Sequence, residues 1–577
     1  MTAATPTQWI LKEQPDEIAI KNLQTAVNAS ETLAILMAQR GIKDFDAARH
    51  YFNPTVNQLH SPFLMKGMFE ASERITKAIE NDERVMVYGD YDVDGTTAVA
   101  LVFDFLSKQY DAVTYYIPDR YGEGYGISLQ GIDFAADNDV TLIIALDCGI
   151  KANSQVDYAT EKGIDFIICD HHLPAKEVPK AAAILNPLQP ECEYPFKSLS
   201  GCAIGFKLVQ ALCETWSLDK TEPFQYLDLV AIAAGCDIVS MTGENRVLSL
   251  LGLDLLEHTR RPGIELLLTD GGRIVDGQLK RSLTVADLVF VIGPRINAAG
   301  RMNHGSRAVD LLIAKTTKGA EEAAKDIIQS NLDRREVDKD ILAEALEMLD
   351  TNPEKKSTVL YAPHWHKGVV GIVASRIQEH FYRPTIVLTE SNGKVTGSAR
   401  SVHEFDVHAA MDACHDLLES YGGHMAAAGL TLLPQNLPAF IQKFEKEVAI
   451  RIRPDQLFPR LSIDAEIKLD AINPKFFEAM NRMAPFGPDN MRPVFAAHGL
   501  TDTGNSRCVG DGTHLKLEVR QEGSRDVMKG IAFGMGHLEA PVKSGKAFSA
   551  AFVLEENDFR GVKSIEMGVK DLKFNDQ

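Results

Sequence analysis

The chain has 577 residues, which at roughly 150 residues per domain sets a prior of three to four domains. Apolar residues make up 45% and charged residues 24%, ordinary proportions that exclude wholesale disorder. Sixty basic against 80 acidic side chains leave a formal charge of −20, which argues against a surface coated in nucleic acid and leaves room for a locally basic groove. No apolar run approaches the roughly 18–20 residues of a membrane span, and Met1 to Gln14 lacks a basic stretch followed by an apolar one. The eight cysteines form no CxxC pair, which suits reduced, buried thiols and a cytoplasmic protein without membrane attachment.

Residues 1–80 are polar and mixed, are expected to be mostly helical, and hold no recognisable chemistry. From there on, apolar runs alternate with helical spacing. Val85–Tyr88 precedes a helix with Ala98, Leu101, Val102 and Phe105 on one face; Val113–Ile117, Leu142–Leu146, Phe166–Cys169 and Ala181–Leu185 follow as strands. Strands separated by helices imply right-handed βαβ units and an open sheet whose chemistry collects beyond the strands' carboxyl ends. Residues 318–352 predict one long helix, about 50 Å at 1.5 Å per residue, which links two lobes. A second α/β unit follows, with strands Ser357–Tyr361, Thr385–Leu388 and Lys394–Ala399 and helices Val369–His380 and Val407–Leu418. After Arg453-Pro454, short alternating strands suit a small antiparallel barrel. The expected boundaries are thus 1–80, 81–317, 318–352, 353–454 and 455–577.

Three strand ends carry the same chemistry. Asp90, Asp92 and Asp94 follow the first apolar run, Asp147 follows LIIAL, and Asp170-His171-His172 follow FIIC. Parallel strands would bring these groups to one sheet edge, where so many carboxylates repel unless a cation joins them; Asp with neutral His suits Mn²⁺ or Mg²⁺. Taken singly, each piece has a plainer explanation. DxDxDG also begins a calcium loop, but the glutamate expected at its twelfth position is Leu101 here. An Asp after a strand is often a helix cap, and a His-His pair is often structural. Within about 85 residues, all three together favour a metal centre.

GDYDVDG, LDCG and CDHH resemble, in that order, the first motifs of the DHH phosphoesterase superfamily. PDRYGEGYG (118–126), LVAIAAGCDIVSM (229–241), IGPRINAAGRM (292–302), HKGVVGIVASR (366–376), GSARS (397–401) and GGHMAAAG (422–429) resemble its branch of bacterial single-strand-specific 5′→3′ DNA exonucleases. The resemblance implies an α/β fold of two lobes, DHH and DHHA1, joined by a long helix and followed by an OB-fold β-barrel. It implies two ions per site, Mn²⁺ or Mg²⁺: Asp147 bridging both, Asp94, His171 and Asp237 completing one, Asp90 and Asp92 serving the other. Many relatives carry a histidine where this chain has Tyr88, and Asp90 is the candidate to replace it. Asp170 would orient its neighbour, and His172 and His424 would face the substrate phosphate. Arg120, Arg295, Arg301, Ser398, Arg400 and Ser401 are candidate grips for a 5′ phosphate, since guanidinium forks match phosphate oxygens.

The implied activity is two-metal hydrolysis of single-stranded DNA from a 5′ end, releasing 5′-mononucleotides in DNA repair and recombination. A single-strand DNA-binding protein and a helicase are the implied partners, and a monomer the implied state. Single-strand preference would come from a narrow cleft and from a barrel that guides the strand, with Arg451, Arg453, Arg460 and Phe458 near the junction. A small-substrate relative, such as an oligoribonuclease, a cyclic-dinucleotide phosphodiesterase or a manganese pyrophosphatase, shares the metal motifs but leaves a terminal barrel of roughly 120 residues unexplained. A non-catalytic DHH scaffold should have lost ligands that this chain retains. GEGYG at 122–126 lacks GxGxxG spacing, so a dinucleotide-binding oxidoreductase is not supported.

Overall fold

The structure, a computed structural model, describes residues 6–574 except 259, 303, 351, 353, 525 and 560 and the side chains of residues 301, 302 and 559. The chain forms two compact units: Arg49–Leu332 with Met483–Arg492, and Met1–Ala48 with Asp333–Arg482 and Pro493–Gln577.

The first unit is built on five parallel strands in the spatial order Val113–Tyr116, Arg84–Gly89, Val140–Leu146, Asp165–Cys169, Ala183–Leu185. Their near-continuous apolar sequences reflect burial on both faces. Val85, Val87, Leu142, Ile144, Leu146 and Ile167 join the core shared with helices Met68–Glu80, Val93–Leu106, Gly201–Thr215 and Leu227–Cys236. The alternate residues Met86, Tyr88, Ile143, Ala145, Phe166 and Ile168 pack with helices Leu129–Asp137 and Asn153–Glu161. In chain order the sheet reads 2-1-3-4-5, so the winding direction reverses between Arg84–Gly89 and Val140–Leu146. A crevice opens beyond strand ends at such a reversal.

Residues 483–492 close onto this unit from far along the chain. Met241 N donates to Pro488 O at 2.8 Å, and Arg246 Nη2 donates to Ala484 O at 2.9 Å. Helix Thr317–Glu347 runs unbroken for 31 residues, about 46 Å at 1.5 Å per residue, and the division between the units falls within it.

In the second unit, Ser420–Gly423, Ala427–Leu432, Lys394–Arg400, Thr385–Ser391 and Thr358–Tyr361 form a mixed five-stranded sheet in that order. Helix Val370–His380 and the later turns of the long helix share one core with it, and helix Leu437–Arg451 shares another. Further on, Phe495–Asp502, Phe548–Phe559, Val562–Phe574, Val527–Ala532 and His514–Gln521 pair successively, and the last pairs back to the first. That closed ring of five strands is the expected barrel. The expected segment 1–80 is helical but divided: strand Gln8–Leu11 pairs in parallel with Arg460–Ile463 in this unit, while helix Met68–Glu80 belongs to the other. Among the described residues, no helix is long and apolar enough to cross a membrane.

Candidate metal centre

The segments beyond the reversal point carry the candidate ligands. Asp92 caps helix Val93–Leu106, its Oδ1 accepting from Gly95 N at 3.0 Å. Asp94 lies in the first turn and is buried. Its oxygens accept from Gly201 N at 2.6 Å and Cys202 N at 2.8 Å, buried donors in the first turn of helix Gly201–Thr215, which have no partner within the helix. A helix N-terminus holds an anion there, and aims the carboxylate before any ligand arrives. Gly201 must be glycine, because a Cβ would lie 2.6 Å from Asp147 Cβ.

Asp147 adopts φ +59°, a left-handed conformation that Asp tolerates better than most residues and that costs about 1–2 kcal/mol. It turns the carboxylate from the strand end toward His171, whose Nε2 lies 3.2 Å from Asp147 Oδ1, 3.5 Å from Asp237 Oδ2 and 3.9 Å from Asp94 Oδ2. Two ligand groups result, Asp147 with His171 and His172, and Asp94 with His171 and Asp237. Asp237 ends helix Leu227–Cys236; the next residue, Ile238, has φ +58° and is 68% exposed.

Burial, followed by repulsion from Asp94, Asp92, Asp170 and Asp237, drives the Asp147 carboxyl well above its ordinary range. Burial likewise raises Asp94, pushes Asp90 up to about 7 and Asp237 up to about 8, with neighbouring aspartates adding to each. Among the described residues no hydrogen bond reaches Asp147 Oδ1, although the residue is buried. Two like charges 4 Å apart cost about 4 kcal/mol at an effective dielectric of 20. A buried, orphaned carboxylate oxygen beside an imidazole nitrogen fits Mn²⁺ or Mg²⁺, which supplies the missing positive charge.

Asp170 is occupied differently. Its oxygens meet Ile150 N at 2.9 Å, His172 N at 3.0 Å and His172 Nδ1 at 2.7 Å. Burial alone would raise this carboxyl, but the His172 contacts hold it below its ordinary value and raise His172 in turn. His172 Nε2 then lies 3.3 Å from the Tyr125 hydroxyl. Tyr88, where the sequence resemblance implies a histidine in many relatives, is fully buried and donates to Gly126 O at 3.0 Å.

The candidate phosphate ligands divide. Arg120 lies over the Tyr91 ring, 5.0 Å from its centroid, in the ligand-bearing unit. Arg295 is 8% exposed and committed to Asp270 at 2.7 Å and to Val291 O, which leaves it a structural role. The side chain of Arg301 falls outside the described residues. In the other unit, Arg400 and Ser398 sit two apart on one strand, so they share a face, and Arg400 Nη1 donates to Ser398 Oγ at 2.6 Å. Arg400 Nε donates to Ser375 Oγ at 3.1 Å, and a Cβ on Gly371 would come within 3.0 Å of Arg400 Nη2. No carboxylate pairs with this partly buried guanidinium among the described residues, and burial lowers its pKa. Ser401 Oγ donates to Phe405 O at 2.6 Å. His424 is exposed on the turn between Ser420–Gly423 and Ala427–Leu432, its N donating to Ala427 O at 2.8 Å.

Sequence reasoning missed Tyr125, the Gly201 and Cys202 amides, and the pair Gly371 and Ser375. Ser200, a good cap before a helix, could have pointed to the amides. Tyr125 lies within PDRYGEGYG and Gly371 and Ser375 within HKGVVGIVASR, but which residues of those motifs matter depends on contacts dozens of residues apart in the chain.

Comparison with known proteins agrees with this architecture. The model of the DHH family N-terminal domain matches residues 84–234, the DHHA1 domain 334–449 and the RecJ OB domain 463–571. The chain is 34% identical over 572 residues to the single-stranded-DNA-specific exonuclease RecJ of Bacillus subtilis, covering 98% of this chain and 71% of that one. It is 32% identical to RecJ of Escherichia coli K12, with 88% and 90% covered. The crystal structure of Thermus thermophilus RecJ with Mn²⁺ superposes with a TM-score of 0.84 at 27% identity, covering 99% of this chain and 80% of that one. Domain order, ligand geometry and sequence agree, and the chain belongs to the RecJ family of DHH phosphoesterases.

Proposed function

We propose that this chain is a metal-dependent exonuclease specific for single-stranded DNA, which starts at a 5′ end and releases 5′-mononucleotides. The observation that carries this reading is the convergence of Asp94, Asp147, His171 and Asp237 at a sheet reversal, with Asp147 Oδ1 buried and given no hydrogen bond among the described residues. Asp147 would bridge two cations, with Asp94, His171 and Asp237 completing one set and Asp90 and Asp92 the other. When bound, such a pair activates a water for in-line attack and neutralises charge on the leaving 3′-oxygen. The protein's own groups hold everything else. The start of helix Gly201–Thr215 fixes Asp94, and Asp170 fixes the His172 ring so that its Nε2 faces Tyr125 and the substrate side.

Within the unit that carries the DHHA1 segment, Arg400 and Ser398 are the candidate grip for a terminal phosphate, with Ser401 and His424 as further candidates on that unit; Arg120 and Arg301 are candidates on the ligand-bearing unit. A guanidinium withdrawn from water and given only neutral acceptors is an incomplete ion pair, and a terminal phosphate completes it. On the barrel, exposed Phe533 beside His514 offers a surface on which bases stack. The family resemblance supports a cytoplasmic monomer that follows a helicase, on strands bound by single-strand DNA-binding protein, in DNA repair and recombination.

The test is digestion of 5′-phosphorylated single strands, duplexes and dinucleotides of one sequence with Mn²⁺. Single strands should be degraded to 5′-mononucleotides and duplexes left intact. Dinucleotides cleaved far faster than long strands would instead make this a small-substrate phosphodiesterase.

A further inference from the structure

We propose that Ile238 is a substrate contact, packing against the sugar and base of the nucleotide whose phosphate occupies the metal centre. The proposal rests on the exonuclease reading above. Asp237 Oδ2 lies 3.5 Å from His171 Nε2, so the residue after Asp237 stands at the rim of the ligand group. Ile238 takes the left-handed position that closes helix Leu227–Cys236, with φ +58° and its N 3.4 Å from Gly235 O. Glycine or asparagine is the low-energy choice at such a position, and a β-branched side chain is the poorest.

Packing against the described residues does little to offset that strain, because Ile238 is 68% exposed. Its side chain is therefore unfavourable twice over, once in the backbone it imposes and once in the apolar surface it leaves in water. Glycine would remove both costs. Strain kept beside a functional site without compensating packing points to a contact made only with ligand. The segment that carries the histidines also presents an aliphatic side chain to solvent: Leu173, directly after His172, is 69% exposed. Each of the two segments that supply Asp237 and the histidines thus continues into an exposed aliphatic residue. A nucleotide presents matching apolar surface next to its phosphate, on its sugar carbons and base face.

The experiment compares wild type, Ile238→Gly and Ile238→Val as full-length, Mn²⁺-loaded enzymes on a 5′-phosphorylated oligodeoxynucleotide and on the same strand abasic at its first position. Ile238→Gly should melt at the same or a slightly higher temperature, by up to about 2 °C, as relieved strain outweighs glycine's unfolded-state entropy. Its KM should rise about tenfold, the value of a partly buried aliphatic side chain, with kcat and Mn²⁺ affinity unchanged. Ile238→Val should keep most of the wild-type KM, and on the abasic strand, which keeps the sugar and loses the base, the gap between wild type and Ile238→Gly should narrow. An unchanged KM in Ile238→Gly overturns the proposal, as does a loss of Mn²⁺ affinity in step with activity, which would make Ile238 a support for Asp237. If wild type degrades no single strand, the exonuclease reading falls and takes this proposal with it. An active wild type matched by Ile238→Gly sinks the proposal alone.

Discussion

Asp147 pairs a left-handed backbone with a buried carboxylate repelled from several directions, so in the metal-free protein it is a liability. Asparagine keeps the shape, tolerates the backbone and removes the charge. Asp147→Asn should therefore abolish hydrolysis, by at least about a thousandfold, while the metal-free protein melts at the same or a higher temperature. Thermal melts with and without Mn²⁺ would check this, and the Mn²⁺-induced rise should vanish in the variant. Arg400 makes a second residue-scale case. Arg400→Lys loses the fork held by Ser398 and Ser375, so preference for 5′-phosphoryl over 5′-hydroxyl strands should shrink about tenfold or more. Equal kinetics of the two substrates in wild type would remove this role from Arg400. The clustering of acidic and imidazole groups at the strand ends was legible because their residue types and spacing announce it. Ser375 and Gly371 were not, because their purpose is visible only once a strand and a helix lie face to face. Arg295 shows the opposite limit: an arginine read as a phosphate grip is held by Asp270.

At the scale of elements, apolar runs ended by acidic loops were enough to place the strands, since a strand buried on both faces must be apolar throughout. The reversal of strand order that turns those ends into one site is a long-range property, and no local pattern encodes it. Helix Val407–Asp412 stops short of the expected Leu418, with a short 3₁₀ turn at His415–Leu417 in its place. The start of helix Gly201–Thr215 is the element on which the metal centre leans. Alanine normally favours a helix over glycine, but here its Cβ would press on Asp147. Gly201→Ala should lower Mn²⁺ affinity and activity by about tenfold or more and lower the melting temperature, against the helix-propensity trend. Calorimetric Mn²⁺ titration beside a thermal melt would show it; wild-type values for both would mean the Asp147–Gly201 contact has no bearing on the centre.

For the molecule as a whole, the raised carboxyls tie stability to pH. With Asp90 pushed up to about 7 and Asp237 to about 8, against an ordinary aspartate near 4, the folded protein binds more protons than the unfolded chain between those values. Stability of the metal-free protein should therefore fall as pH rises from about 4 to 8, and the gain from Mn²⁺ should grow over the same range. Melting curves with and without chelator across this range test the sign; a Mn²⁺ gain independent of pH would contradict it. Domain order was legible from composition and motif order, and the barrel from alternation. The assignment of residues 1–48 and 483–492 to different units from their chain neighbours was not, since a ten-residue loop carries no signal of where it docks.

The most direct test of the central claim is the stoichiometry of Mn²⁺ binding by calorimetry, with wild type and Asp147→Asn side by side. If these side chains converge around a bridging carboxylate, wild type should take up two ions per chain and the variant should lose high-affinity binding of both. Uptake of no Mn²⁺ by wild type, or equal uptake by the two proteins, would contradict the account.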